Sequence, residues 1–512
     1  MRTRLPGWDV LMQQPVQLGP KPLTRDDVHA VARGGARVEI AESAREAVAA
    51  ARAHIERLAT AEQPTYGVST GFGALAVRHI PPDRRAALQQ SLVRSHAAGS
   101  GPEVEREVVR ALVLLRLKTL TTGHTGVRPQ TAEAMAAMLN AGITPVVHEY
   151  GSLGCSGDLA PLSAAALALT GEGYVRDADD VLLPAADALA KAGIEPVRLA
   201  EKEGLALING TDGMLGMLVL AIHDLHHLLD VADLTAAMSV EALLGTDRVF
   251  AEELHALRPH PGQGRSARRM AEFLRGSEIV ESHRGPDCTR VQDAYSLRCS
   301  PQVHGAARDT VAYAEVVADR ELASAIDNPV VLADGRVESN GNFHGAPLAY
   351  VLDFLAIPTA DVASISERRT DRMLDVNRSH GLPPFLAHDP GVDSGHMIAQ
   401  YTQAAIVSEL KRLAVPASVD SIPSSAMQED HVSMGWSSAR KLRQSVAGLR
   451  RVLAIELITA ARALDLRHPL TPAPATAAAV ATLREHVPGP GPDRHLAPEI
   501  AAAEELIRNG AI

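Results

Sequence analysis

Arg45-Glu-Ala-Val-Ala-Ala-Ala-Arg-Ala-His-Ile-Glu-Arg-Leu58 places Val48, Ala51, Ile55 and Leu58 at i, i+3, i+7 and i+10, with arginines and glutamate between them. That is the period of a helix with one apolar stripe. The same period recurs at 103–120, 214–244, 349–365, 394–413 and 439–464, so long helices dominate the second half of the chain. Aromatic residues make up only 3% of the sequence while Ala and Leu abound. This balance favours close helix packing over a β-sandwich, which draws on aromatic and β-branched residues. The fold class predicted is mainly α: a helical bundle with a smaller mixed N-terminal region.

At 512 residues the chain exceeds the size at which one core usually keeps growing, and two regions are the expected organisation. The division falls between residues 1–205, which mix loops with shorter elements, and 206–512, which read as long helices. The Ala- and Pro-rich stretch from Pro469 onward reads as peripheral. Hydrophobic residues at 46% and charged residues at 22% describe an ordinary folded protein. A formal charge of −11 argues against a nucleic-acid partner, and the basic cluster 265–269 reads as a solvated turn or helix start. Cys155, Cys288 and Cys299 supply neither a disulfide framework nor paired metal-ligand spacing, which points to a reducing cytoplasm. The first twenty residues lack the pattern of a secretory signal, and apolar stretches such as 214–222 are too short to cross a bilayer. No membrane partner is expected.

Chemistry is sought in the loops marked by Pro and Gly. Gly151-Ser-Leu-Gly-Cys-Ser-Gly-Asp-Leu-Ala-Pro-Leu162 is the most informative of them. Read locally it is a glycine-rich loop before a helix, with Asp158 as the N-cap and Pro161 in the first turn. That leaves Cys155-Ser156-Gly157 unexplained. A glycine nitrogen can approach the carbonyl carbon two residues back because no Cβ blocks the strained turn. Ring closure with loss of water, and loss of the Ser156 hydroxyl, would leave an electron-poor exocyclic methylene.

The segment resembles the cofactor loop of the histidine and aromatic amino-acid ammonia-lyase family. Members of that family form 4-methylideneimidazole-5-one (MIO) from their own backbone by autocatalytic cyclisation. The family usually has Ala where this chain has Cys155; ring closure uses that residue's carbonyl, so the departure is tolerated. The resemblance runs from Tyr66 to Met434 in the family's order. It implies that Tyr66, in Tyr66-Gly-Val-Ser-Thr-Gly-Phe-Gly73, is the base that removes a β-proton; phenolate formation there needs positive charge or hydrogen bonding. The glycines of this loop lack the Lys of a phosphate cradle. It implies a substrate side-chain contact at His96, cofactor and substrate contacts at Asn209, and a pocket role for Phe343 in Asn340-Gly-Asn-Phe-His-Gly345. In Gln292-Asp-Ala-Tyr-Ser-Leu-Arg-Cys299, the residues Gln292, Tyr295 and Arg298 recur every three and would share one side of a helix. Arg298 presents the planar fork suited to a carboxylate. Gln292 joins it in substrate binding, and Tyr295 joins Tyr66, Ser156 and Glu429 as candidate catalytic residues.

Gln428-Glu-Asp-His-Val-Ser-Met434 bears on the substrate. By resemblance, histidine lyases carry Glu here and the Tyr or Phe lyases and 2,3-aminomutases an Asn-Gln-Asp type segment. Glu429 can accept an imidazole N–H. The resemblance therefore implies elimination of ammonia from L-histidine to give trans-urocanate, with no external cofactor, in a homotetramer whose sites draw on three subunits. A lyase or aminomutase acting on Tyr or Phe is the rival, and a non-catalytic scaffold is a second. Two positions depart from the family: Ala164 where His is common, and His304 where Asn or a small residue is familiar. His223, His226 and His227 have helical spacing but no acidic or Cys partner motif, so an exposed helix face and no metal are expected. Ser156 lacks the setting of a hydrolase nucleophile.

Overall fold

The structure, a computed structural model, describes residues 14–60, 65, 67–71, 73–75, 77–285, 288 and 291–512, the side chain of Ala74 excepted. Among these residues there are nineteen α-helices and nine strands, none of the strands longer than four residues. The expected periodic segments are all helical: Glu42–Ala59, Arg106–Leu120, Asp212–Ala242, Ala346–Leu374, Met397–Leu413 and Gly435–Asp465. In the first of them Val48, Ala51 and Ile55 are buried, as the stripe requires.

The bundle is built around Asp212–Ala242, in which 26 of 31 residues are buried. Apart from a stripe of His223, His226, His227 and Asp230 its sequence is largely apolar, and such a helix is stable only when neighbours cover the rest of it. Arg106–Leu120, Ser300–Leu322, Ala346–Leu374 and Gly435–Asp465 supply those neighbours. Asp212–Ala242 and Ala346–Leu374 are, contrary to the sequence expectation, long and apolar enough to cross a membrane. Most of each apolar stretch, 72% and 61%, is nevertheless buried within the fold. The tail is not peripheral. Pro474–Arg484 and Ala497–Arg508 are helices that bury Leu483, Ala503, Leu506 and Ile507, and the Ala473 amide donates to Glu241 Oε1 at 2.7 Å. The cluster at 265–269 lies inside the helix Pro261–Phe273, where Arg269 pairs with Asp230 at 3.4 Å.

Short strands position the loop of interest. Ser100–Glu103 pairs antiparallel with His148–Tyr150, so the chain leaving the Arg85–His96 helix runs beside the chain entering residues 151–158. A Cβ on Gly151 would lie 3.2 Å from Gly99 Cα, which shows how closely these two backbones cross.

Candidate active site

Cys155-Ser156-Gly157 sits where helix N-termini converge. Leu159–Leu169 begins directly after it, and the Met434 amide, at the start of Gly435–Asp465, donates to Leu153 O at 3.1 Å. Gly210, two residues before Asp212–Ala242, forms a bridge with Gly157. Gly345, before Ala346–Leu374, packs on Met214 so closely that a Cβ there would meet the sulfur at 2.5 Å. Converging N-termini bring partial positive charge to the loop, a setting that favours developing negative charge.

The tripeptide itself is bent. Ser156 has φ 50° and Gly157 φ 82°, in the left-handed region that non-glycine residues enter at a cost. Gly210 grips the bend on both sides of Gly157: its N–H donates to Ser156 O at 3.2 Å, and its carbonyl accepts the Asp158 N–H at 2.8 Å. A Cβ on Gly157 would lie 2.0 Å from Gly210 O, so only glycine fits. A bend at Ser156 and Gly157 that admits no Cβ on Gly157 fits the methylideneimidazolone group.

Asp158 does not act as expected. It stands at the N-cap position of Leu159–Leu169, yet its side chain makes no capping bond there. Its Oδ2 instead accepts the N–H groups of Gly213 (2.9 Å) and Met214 (3.0 Å), capping the central helix, while Ser152 donates to Oδ1 at 3.1 Å. Burial pushes its pKa from 3.8 up to about 7, against the lowering effect of these hydrogen bonds.

A few direct contacts hold the neighbouring residues against the tripeptide. Cys155 Sγ lies 3.1 Å from Ser424 Oγ, and the Ser424 N–H donates to Glu429 O at 2.9 Å, so Glu429 is held beside the loop. Burial raises the Cys155 pKa, and the Glu429 carboxylate adds to the effect. His96 Nδ1 donates to Leu92 O at 2.9 Å, which leaves Nε2 as the acceptor of the neutral ring. Burial lowers the His96 pKa, opposed by its bond to Leu92 and by the Glu429 carboxylate. Asn209 is buried and donates through Nδ2 to Asn328 O at 2.7 Å. Asn340 bonds to Asp327 O at 3.0 Å in the same strip, which leads on to half-buried Phe343. The segment 66–73 also ends beside Glu429: a Cβ on Gly73 would lie 2.9 Å from Ser425 Oγ and 3.5 Å from Glu429 Oε1. Tyr66 lies outside the described residues.

Gln292, Tyr295 and Arg298 are elsewhere. They do not share a helix: Tyr295–Arg298 is a single turn, and Gln292 precedes it in exposed chain. The spacing is misleading because Asp293 ties the segment down by accepting the Thr246 N–H at 2.7 Å, just past the C-terminus of Asp212–Ala242. The tripeptide is at the N-terminus of that helix. Thirty-one residues at about 1.5 Å each separate the two ends by roughly 45 Å. A single chain therefore does not bring Arg298 to its own tripeptide. Tyr295 is 71% exposed, and the Arg298 guanidinium carbon lies 4.6 Å from its ring centroid. Arg298 Nε is buried with no hydrogen-bond partner among the described residues.

His304 also lies far from the tripeptide, buried with Nδ1 2.8 Å from Asp233 Oδ1. His223, His226 and His227 are half-buried and partnered rather than on an open face: His223 stacks on His29, His226 Nε2 lies 2.8 Å from Glu315 Oε1, and His227 Nε2 donates to Ile507 O at 2.6 Å. Sequence reasoning overlooked Ser152, Asn328, Ser424 and Arg116, all in contact with site residues. Only Arg116 carried a signal, as a cation inside the apolar run 111–117.

A helical bundle with a bent Cys-Ser-Gly loop at its converging N-termini fits the class of the ammonia-lyases. The profile of the aromatic amino acid lyase family matches residues 23–485, and the chain belongs to that family. It is similar, at 67% identity over 97% of each chain, to the histidine ammonia-lyase of Streptomyces avermitilis. Among solved structures it resembles tyrosine aminomutase from Streptomyces globisporus (TM-score 0.91, 38% identity, 97% of each chain). It also resembles histidine ammonia-lyase from Trypanosoma cruzi (TM-score 0.89, 39% identity, covering 97% of this chain and 94% of that one).

Proposed function

We propose that the protein is a histidine ammonia-lyase, eliminating ammonia from L-histidine to give trans-urocanate. The observation that carries the choice of substrate is Glu429, held beside Cys155 through Ser424 and close enough to His96 to influence its protonation. A carboxylate and an imidazole acceptor together suit a ring that bears N–H donors, and offer nothing to a phenyl group. Relatives named histidine ammonia-lyase, at 67% identity in three Streptomyces species, support the same reading.

MIO formed from Cys155, Ser156 and Gly157 supplies an electrophilic methylene that makes the amine a leaving group. Arg298 holds the substrate carboxylate in a two-pronged bond, with Gln292 beside it. Glu429 and His96 fix the imidazole, Asn209 contacts the amino-acid head, and Phe343 closes the pocket. Tyr66 takes the β-proton as phenolate; Tyr295, stacked on Arg298, completes the set. The Cα–N bond breaks as the β-carbon's electron pair forms the double bond, so ammonia leaves and the conjugated acid remains.

Because Arg298 and the tripeptide lie at opposite ends of one helix, the complete site is shared between copies of the chain, and a homotetramer is the assembly we assign. The exposed stripe Tyr350, Phe354 and Ile357 on Ala346–Leu374 supports a covering partner. We assign the enzyme to the cytoplasm, where its three free cysteines persist.

The test is incubation with His, Tyr and Phe separately, following the ultraviolet absorbance of the conjugated product. Turnover of His is expected, and none with His would overturn the substrate. Mass spectrometry of the peptide holding residues 155–157 should find it lighter by two waters; an unmodified peptide would remove the cofactor.

A further inference from the structure

Arg116 lies on Arg106–Leu120, a helix buried from Val108 to Leu120, and its side chain is 1% exposed. A guanidinium so far from water must satisfy its donors within the protein. Arg116 does so almost wholly with main-chain carbonyls. Nη1 donates to Ala206 O at 3.2 Å and to Asn209 O, and Nη2 donates to Ile326 O at 2.9 Å. Its one close carboxylate is Asp212, 3.4 Å from Nε, and neither that nitrogen nor Asp212 Oδ2 completes a hydrogen bond. The fork therefore fastens the end of the Glu203–Ile208 helix, the Asn209–Gly210 step and the strand of chain at Ile326 to one point.

Gly210 is the other half of the arrangement. A Cβ built on it would lie 2.4 Å from Asp212 Oδ2 and 2.8 Å from Arg116 Nη2, so Gly210 is pressed against the ion pair. It also grips the Ser156–Asp158 backbone through two hydrogen bonds, with its carbonyl against the Cα of Gly157. The order in space is thus tripeptide, Gly210, then Arg116 with Asp212. A peptide can be held in a bend only as firmly as the group that bends it, and Gly210 has no side chain with which to anchor itself.

We infer that Arg116 is a positioning residue for cofactor formation: its guanidinium, by fixing the Asn209–Gly210 backbone, makes it the fixed support against which Cys155-Ser156-Gly157 is bent for ring closure. In that closure the Gly157 nitrogen bonds to the Cys155 carbonyl carbon, and the carbonyl oxygen leaves as one water with the Gly157 N–H proton and the Ser156 N–H proton, leaving a double bond between the Cys155 carbon and the Ser156 nitrogen. The Ser156 Cα proton and Oγ leave as the second water. No oxidant or reductant is needed. Arg116 touches none of the reacting atoms; it limits how far Gly210 can retreat as the nitrogen and carbonyl carbon approach.

This inference rests on the cofactor reading above, and its test separates the two. Arg116→Lys keeps the charge but cannot reach three carbonyls; Arg116→Met keeps the bulk and removes every donor. Each is purified under the same conditions as the unsubstituted enzyme, and the 155–157 peptide is weighed at intervals after folding, with circular dichroism and sedimentation to register fold and assembly. The expected result is folded, assembled protein in which the peptide closes at least about tenfold more slowly and retains one or both waters. Should both variants fold and dehydrate at the unsubstituted rate, the proposal is wrong. Loss of soluble protein in both would make Arg116 a general folding residue and overturn it equally. An undehydrated peptide in the unsubstituted enzyme would instead refute the cofactor reading, on which this one depends.

Discussion

Glu456 and Arg369 form a buried ion pair whose disruption has a calculable effect. Both side chains are fully buried, and Arg369 donates to both Glu456 oxygens, with Nη2 2.9 Å from Oε2. Thr235 (2.9 Å), Ser239 (2.8 Å) and Ser366 (2.6 Å) complete the carboxylate's shell. On its other side Arg369 Nη1 reaches Ser300 Oγ at 3.2 Å and Ser296 O at 3.4 Å, on either flank of Arg298. Burial penalises the Glu456 carboxylate, but Arg369 and the hydroxyls outweigh it and hold the pKa below the usual value. Glu456→Leu leaves the guanidinium buried and uncompensated, which costs about 3–5 kcal/mol. A domain of 150–250 residues loses about 2–4 °C per kcal/mol, and a 512-residue chain about half that, so a fall of roughly 3–10 °C is expected. Arg369→Met with Glu456→Leu removes both charges and should recover most of the loss. Melting is compared at one scan rate, because large proteins unfold irreversibly. The double variant should still show a raised KM for histidine, since the turn carrying Arg298 has lost its tether. If the double variant melts below Glu456→Leu, the uncompensated charge is not the cause and the reasoning fails.

Three further outcomes follow from the site. Asp158 binds its proton more tightly folded, near pH 7, than unfolded, near 3.8, so its contribution to stability is greatest below the lower value and falls as pH rises to about 7, by about 4 kcal/mol. Asp158→Asn should therefore gain melting temperature relative to the unsubstituted protein between pH 5 and about pH 7, then level off; a constant difference across that range would count against it. Glu429→Gln replaces a charged acceptor worth about 1.5–3 kcal/mol, so kcat/KM for histidine should fall at least about tenfold with the 155–157 peptide still dehydrated. His96→Leu deletes a neutral acceptor and should lower kcat/KM for histidine by about tenfold at unchanged helix content; no change would remove His96 from the pocket.

What the sequence disclosed and what it withheld divide along the range of the interactions involved. The tripeptide and the glutamate at Glu429 are local patterns, and each was legible as such. The helices were legible because their stripes repeat along the chain. Asp158 was misread because its cap belongs to a helix that begins 54 residues later, and nothing local distinguishes the two partners. Gln292, Tyr295 and Arg298 mimic a helical stripe, yet Asp293 ties its segment to Thr246 and leaves only one turn. The tail looked peripheral because Ala and Pro carry little hydrophobic signal, although small side chains are what permit its helices to approach the bundle. Arg116 has a role set by three carbonyls from two distant segments, for which no motif exists.

The separation of Arg298 from the tripeptide leads to the sharpest test of the whole reading. If a working site takes Ser156 from one copy and Arg298 from another, two inactive variants should repair each other. Ser156→Ala makes no electrophile and Arg298→Ala holds no carboxylate, so each homo-oligomer is inactive. In oligomers assembled at random from equal amounts, a given site draws an intact Ser156 half the time and an intact Arg298 half the time from independent copies. About a quarter of the sites should then be complete, giving about a quarter of the unsubstituted activity. The copies must be mixed before assembly, by co-expression or by joint refolding, because finished oligomers exchange slowly. If both residues served a site within one chain, no mixed oligomer could contain both, and activity would stay at the level of the separate variants. Absence of recovery in oligomers shown by mass to be mixed would therefore refute the shared site, whatever the number of subunits.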